Sequence, residues 1–146
     1  MLPKLNAPVY ELTLPLLKQK IKFRPFLVKE QKILLIALQS EDPDFVRENV
    51  KQIIKNCCLS EINIDELSAL DIEYFFLHLR ARSIGEIVET RYKCENKISD
   101  DETCKNKLQV NINLLDIAPD LSNYKDTVEL TDSIGVKFKY PDFKII

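Results

Sequence analysis

The stretch NIDELSALDIEYFFLHLRARSIG, residues 63–85, decides the fold class because it predicts a helix that the rest of the chain must cover. Its apolar residues recur at helical spacing around much of the circumference, which is typical of a helix at the centre of a core. Asn63 and Glu66 have the spacing of a capping box, and Gly85 suits the end of the helix. The main predicted stripe is Leu67, Leu70, Tyr74, Leu77 and Ala81, widened by Phe75, Phe76 and Leu79.

Two more helices are predicted ahead of that stretch. Residues 29–39 have a strongly apolar middle, and a second helix has a clear start. Asp42 suits its N-cap, Pro43 its first position and Asp44 the positive end of its dipole. One face of this second helix holds Val46, Val50, Ile53, Ile54 and Cys57.

Strands are predicted on both sides of the helices, because apolar and polar residues alternate there with the period of a half-buried strand. Residues 8–27 predict a hairpin. Residues 88–94 and 108–114 predict a second hairpin around a polar loop. Residues 128–140 predict a further pair of strands with its turn at Thr131-Asp132-Ser133.

These elements predict an α+β fold in a single domain, residues 1–146. An N-terminal β-hairpin and three central helices are followed by antiparallel strands, which form a mixed or antiparallel sheet packed on the helices. A chain of 146 residues has the size of one domain. The apolar end, Ile145 and Ile146, is a candidate contact surface for a partner.

The composition leaves little from which to build an active site. Gly85 and Gly135 are the only glycines, so the glycine-rich loops that hold phosphates cannot be assembled. His78 is the only histidine, and its neighbours at helical spacing include no acid, serine or cysteine. A histidine base needs an orienting carboxylate and a nucleophile within reach. We therefore expect no enzyme activity, no cofactor and no small-molecule substrate.

Charge and hydropathy limit the partners. The net charge is −2, with lysine and arginine spread along the chain, which does not favour nucleic acid. The longest apolar run, residues 33–38, is far too short to cross a bilayer. We expect no membrane partner and a cytoplasmic setting in which the four cysteines are reduced thiols or metal ligands.

Cys94 and Cys104 flank the loop of the second predicted hairpin and are candidate metal ligands. Nine residues separate them, against about two to four within a usual zinc-ligand pair. Free thiols are the competing interpretation, because free cysteine is often buried. The acidic residues 100–102 of the same loop lack the ligand pattern of a calcium loop, so they predict a solvated loop of mixed charge.

A short basic ladder in the first hairpin is a candidate interaction site. Lys20, Lys22 and Arg24 form the ladder beside two aromatic rings. The candidate contact residues are Lys22, Phe23, Arg24 and Phe26. That pattern suits binding of a partner protein or of single-stranded nucleic acid. A strand with one solvated face and one core face produces the same pattern. The edges of this hairpin can also pair with a strand of another chain.

Four segments resemble one known family. They are MLPKLNAPVYELTLP with KIKFRPFLVKEQKILLIA, residues 1–15 and 20–37; FFLHLRARSIGEIVE, residues 75–89; the hairpin from Cys94 to Cys104 with LQVNINLLDI; and IGVKFKYP, residues 134–141. Their order and spacing are similar to those of the T4-type phage baseplate hub assembly family. None of them is a chemical motif.

The resemblance implies place and role rather than a reaction. It implies a structural or assembly protein of the central tail hub, made late in infection, that contacts other baseplate proteins in the virion or in the host cytoplasm. It also implies a further C-terminal segment, since the family's proteins are usually longer. Two alternatives are a small metal-binding module built on Cys94 and Cys104, and a binder of single-stranded nucleic acid that uses Lys22, Phe23 and Arg24.

Overall fold

A computed structural model describes residues 7–99, 103–123, 125–131 and 134–141. Within them the chain forms six strands and three α-helices, so the predicted α+β class is confirmed. The elements are β1 (Tyr10–Thr13), β2 (Lys20–Phe23), α1 (Val28–Leu38), α2 (Pro43–Cys57), α3 (Ala69–Ser83), β3 (Ile87–Lys93), β4 (Lys107–Asn113), β5 (Thr127–Thr131) and β6 (Ile134–Lys137). The strands pair as three two-stranded antiparallel sheets, β1–β2, β3–β4 and β5–β6.

The first hairpin forms one wall of the core. Tyr10 pairs with Phe23 and Leu12 with Ile21, so alternate apolar side chains point to the same face. Leu12, Ile21 and Phe23 are buried, and Leu14 after β1 is buried completely. The predicted alternation is confirmed here.

The predicted start of the third helix near Asn63 is wrong. Asn63 caps only a single 3₁₀ turn, Ile64–Glu66, because the chain returns to an extended conformation at Leu67 (φ −68°, ψ 143°). The helix begins after Ser68, whose Oγ accepts a hydrogen bond from the Asp71 N–H at 3.1 Å and donates one to Asp71 Oδ2 at 3.0 Å. The stronger cap lies five residues beyond the sequence signal.

The buried face of α3 is also rotated from the predicted stripe. Ile72, Phe75 and Leu79 are almost fully buried, whereas Leu70, Tyr74 and Leu77 are only partly buried. The latter three line a shallow groove together with the segment 117–119. The apolar circumference of α3 therefore has two sets of neighbours, the first hairpin with α2 on one face and the segment 117–119 on the other. The face toward the first hairpin and α2 is the more completely buried.

The two earlier helices form as predicted. Asp42 Oδ1 accepts a hydrogen bond from the Asp44 N–H at 2.9 Å, and Pro43 stands in the first turn of α2. Ile53, Ile54 and Cys57 of α2 are completely buried. α1 packs against α2.

The core belongs to the first part of the chain. Its buried cluster extends from Leu12 to Leu79. Beyond α3, Leu114 is the one buried residue in the part of the chain that the structure describes. The β3–β4 and β5–β6 hairpins, called the two ribbons below, thus extend from a core to which they add almost nothing. The single-domain assignment of residues 1–146 stays a prediction.

Candidate interaction surfaces

Phe23 of the predicted basic ladder lies inside the core. It is 2% exposed, and its ring meets that of Phe75 edge-on at 5.4 Å between centroids and that of Tyr10 at 5.8 Å. Such ring pairs add to the stability gained from burial. The Phe23 ring is therefore not available to stack on a base or on a partner.

Arg24 is occupied by an internal ion pair. Its Nη2 lies 3.1 Å from Glu30 Oε1 and donates to the Asn56 carbonyl at 3.0 Å. Burial alone would raise the pKa of Glu30, but hydrogen bonds from Arg24 and from the Leu27 N–H outweigh it and hold that pKa below its ordinary value. Arg24 therefore ties the end of β2 to α1 and α2.

The outer edge of β2 is covered by the chain itself. The Lys22 carbonyl accepts a hydrogen bond from the Leu59 N–H at 2.8 Å, and the Lys22 N–H donates to Ser60 Oγ at 2.8 Å. The Lys22 side chain stays exposed, 3.7 Å from Glu11. Phe26 is partly buried, and its N–H donates to Ser83 Oγ at 2.9 Å. Of the four candidate contact residues, only Lys22 keeps an exposed side chain.

Cys94 and Cys104 lie on opposite sides of the β3–β4 loop. The Cys94 N–H donates to the Asn106 carbonyl at 2.8 Å, and the Cys104 N–H donates to the Asn96 carbonyl at 2.7 Å. Both are free and partly exposed. The described residues contain no group of three or more histidine, cysteine or acidic side chains that could hold a metal ion. A site at these two thiols stays a prediction, and the acidic residues 100–102 lie outside the described residues.

His78 is packed rather than poised for catalysis. Its Nε2 is buried without a hydrogen-bond partner in the described structure, and its ring lies 4.5 Å from that of Tyr74. Burial, followed by the nearby charge of Arg82, lowers the pKa of His78. The lowered pKa favours the neutral imidazole, and no described residue forms a hydrogen bond with its Nε2.

One side of α1 exposes apolar residues. Glu30 and Ala37 face the interior, while the opposite side is open to solvent. Its exposed apolar residues are Val28, Leu35, Ile36 and Leu38. A helix that is apolar all round is normally covered on all sides, so this face is a candidate contact surface.

The β3–β4 ribbon has one apolar and one polar face. The register sets Val88 opposite Ile112 and Tyr92 opposite Leu108, so their side chains share a face. Tyr92 and Leu108 are more than half exposed, at 56% and 54%. The half of the apolar face nearer the loop is therefore uncovered, whereas Val88 and Ile112 are partly buried.

The β5–β6 ribbon repeats this arrangement. It is held at its base by the Phe138 N–H, which donates to the Asp126 carbonyl at 2.6 Å, and by the Lys137–Asp126 ion pair at 3.5 Å. The Ala69 N–H then donates to the Pro141 carbonyl and joins this segment to the start of α3. Its exposed apolar residues are Val128, Leu130, Ile134, Val136 and Phe138.

Neither ribbon was among the contact surfaces predicted from sequence. The predicted surfaces were residues of the first hairpin and the apolar end at Ile145 and Ile146, which lies outside the described residues. Strict alternation predicted a buried face for each ribbon. The sequence carries no sign of what would cover these faces, because alternation marks an apolar face without identifying its neighbour.

No helix in the described residues is long and apolar enough to cross a membrane. Residues 7–146 match the family described as T4 bacteriophage base plate protein. A curated relative, "Baseplate hub assembly protein gp26" of Enterobacteria phage T4, is 30% identical over 122 residues, which are 83% of this chain and 50% of the relative. The chain thus spans about half the length of that relative. No solved structure matches this chain.

Proposed function

Because the chain belongs to the T4 bacteriophage base plate protein family, we propose that it is a structural or assembly component of the central hub of a contractile-tail baseplate. It acts through contacts with other baseplate proteins. One observation carries the mechanism: the two ribbons expose apolar faces that the described part of the chain leaves open. Exposed apolar patches of this kind mark protein interaction sites.

The proposed role involves no reaction. The scarcity of glycine and the packing of His78 support a protein without an active site. The chain works as one domain in the host cytoplasm during assembly or in the finished tail, late in infection. Its partners are proteins, with no membrane, nucleic acid or small-molecule substrate. Phe23 in the core and Arg24 in an ion pair support this choice over nucleic acid.

Binding to purified baseplate proteins of the encoding phage tests the proposal. We expect at least one of them to bind the full chain with a micromolar or lower dissociation constant. Val110→Asp, which places a charge on the apolar face of a ribbon, is expected to weaken that binding at least tenfold. Lys55→Asp on the exposed side of α2 is the control and should leave it unchanged. If no baseplate protein binds even at about 50 μM, well above a micromolar dissociation constant, the proposal fails.

Deletion of the gene provides the matching test in the phage. We expect lysates without the chain to lack complete baseplates in electron micrographs, and the wild-type gene supplied in trans to restore them. Normal tails in its absence would contradict the proposal. Mass spectrometry of purified virions then decides whether the chain remains in the particle.

A further inference from the structure

The outer edge of β4 has backbone groups that point away from β3. The Cys94 N–H donates to the Asn106 carbonyl and the Leu114 N–H donates to the Glu86 carbonyl, both at 2.8 Å. In an antiparallel ladder, hydrogen-bonded and non-hydrogen-bonded pairs alternate. The amides of Leu108 and Val110 are therefore used inside the ribbon. The outward amides are those of Lys107, Gln109 and Asn111.

This edge is open in the described structure. Residues 107–111 are all exposed, and none of the described residues hydrogen-bonds to the outward amides. An isolated two-stranded sheet is marginal in water, and a third strand adds backbone hydrogen bonds as well as apolar cover. By contrast, Ser60 and Leu59 already occupy the edge of β2. The β4 edge is thus the better place for an added strand.

The side chains beside this edge restrict what can bind. Leu108 and Val110, 54% and 41% exposed, lie on the apolar face. Lys93 and Lys107 stand directly opposite each other on the polar face. Like charges in directly opposed positions destabilise a strand pair. Among the described residues, no carboxylate lies within ion-pair distance of either lysine.

A symmetric pair of β4 edges does not satisfy this pattern. If two β4 edges paired, Lys107 would face Lys107, Gln109, Asn111 or Asn113 of the other copy, and none of these is acidic. A helix laid on the apolar face would cover Leu108 and Val110 but would leave the outward amides unpaired. A strand with alternating apolar and acidic residues satisfies the backbone, the apolar face and the charge together.

We propose that an extended segment of another baseplate protein adds to the outer edge of β4, covers Leu108 and Val110, and places a carboxylate beside the Lys93–Lys107 pair. This inference rests on the proposed function and names the kind of partner. The added strand turns the ribbon into a three-stranded sheet. Its apolar residues lie beside Leu108 and Val110, and its acidic residues lie on the other face.

Hydrogen exchange of single amides, measured by NMR, gives the sharpest test. The chain is measured alone and together with the baseplate protein that binds it. In the free chain, the amides of Leu108 and Val110 should exchange more slowly than those of Lys107, Gln109 and Asn111. On binding, the three outward amides should slow at least tenfold. If they continue to exchange as in the free chain, the bound partner is not a strand on this edge and the inference is overturned.

Paired proline variants separate the two edges of the ribbon. Asn111 on β4 stands opposite Glu89 on β3, and the amides of both point outward. Proline is tolerated where no ladder bond is lost. Asn111→Pro should weaken binding at least tenfold, while Glu89→Pro should leave it within twofold. Slow exchange at Leu108 and Val110 shows that the ribbon persists in each variant. Equal loss in both would overturn the assignment to β4.

Charge variants test the acidic partner. Lys107→Glu should raise the dissociation constant about fivefold, the scale of a cross-strand charge pair. Lys125→Glu, outside the ribbon, is the control. Neutralising Asp100, Asp101 and Glu102 together should leave binding unchanged or strengthen it. If that triple variant instead lost binding, the partner would recognise these carboxylates and the inference would fail.

The outcomes distinguish this inference from the function on which it rests. If no baseplate protein binds, the proposed function fails. If one binds without slowing the outward amides, or if the complex is a dimer of this chain by light scattering, only the added strand is disproved.

Discussion

The guanidinium of Arg24 lies 3.1 Å from the carboxylate of Glu30, with 19% of the arginine side chain and 2% of the glutamate exposed. This pair, together with the bond from Arg24 to the Asn56 carbonyl, fastens the first hairpin to two helices. Removing one member leaves the other charge buried and unpaired. Loss of either member is therefore expected to weaken the contact between the hairpin and the two helices.

We expect Arg24→Met to lower the free energy of unfolding by about 3 kcal/mol, because Glu30 then loses its partner. Urea denaturation at neutral pH measures it. The double variant Arg24→Met/Glu30→Met should recover part of the loss, since no charge remains unpaired. If the double variant is as unstable as the sum of its two single variants, the pair is not coupled and this account is wrong.

His78 predicts a loss of stability in mild acid. Burial lowers its pKa in the folded state, so the unfolded chain takes up the proton first. Its contribution is complete above the ordinary pKa of about 6.5 and is lost as pH falls below that value. Thermal unfolding between pH 7.5 and pH 5 should show this decline. His78→Leu should flatten it, and an unchanged slope in this variant would contradict the assignment.

Replacing Gly85 is expected to strain the backbone without causing a steric clash. Its φ is +146°, a region that other residues rarely adopt, although no atom lies within 4 Å of the place where a Cβ would stand. Gly85→Ala should therefore cost about 1–3 kcal/mol. Gly135→Ala is the matched control, because its Cβ would meet Val128 O at an ordinary 3.6 Å. Chemical denaturation measures the free energy of unfolding of both variants. If the two variants were equally stable, the backbone strain expected at Gly85 would be refuted.

Two leucines on helices allow a core position to be compared with a surface position. Leu79 on α3 is fully buried, whereas Leu35 on α1 is 55% exposed. We expect Leu79→Ala to cost about 2–5 kcal/mol and Leu35→Ala to change stability by less than about 0.5 kcal/mol. Urea midpoints measure both. A large loss in Leu35→Ala would show that the α1 face is covered within the chain.

The cysteines should differ in reactivity. Burial raises the pKa of Cys57 to about 11, and it also raises that of Cys58. Because the thiolate is the reactive form, an aromatic disulfide reagent should modify Cys94 and Cys104 first and Cys57 only on unfolding. We also expect less than about 0.1 equivalent of zinc in protein purified without chelators. One equivalent of zinc, with Cys94 and Cys104 protected, would establish the metal site instead.

Local patterns predicted the elements well. The cap at Asp42, the alternation from Tyr10 to Phe23 and the helix end just before Gly85 each depend on neighbours in sequence, and all three are present. The start of α3 was misplaced because Asn63 and Glu66 do interact, at 2.7 Å, but close only a single turn. Sequence shows that a cap is possible, but not how far the helix continues from it.

The contact surfaces were harder to predict, because exposure depends on what the rest of the chain covers. Phe23 and Leu108 both alternate with polar neighbours, yet one is buried against Phe75 and the other is half exposed. Likewise, Arg24 has the appearance of a free cation in the sequence, whereas in the fold it forms an ion pair with Glu30. Alternation identifies the apolar face of a strand and leaves its cover undetermined.

The position of the core near the front of the chain has a consequence for synthesis. Residues 12–79 leave the ribosome before either ribbon does. Since domains form from the N-terminal side while translation continues, the stable part can be complete when Leu108 and Val128 emerge. The two apolar ribbons then emerge one after the other beside a core that is already folded.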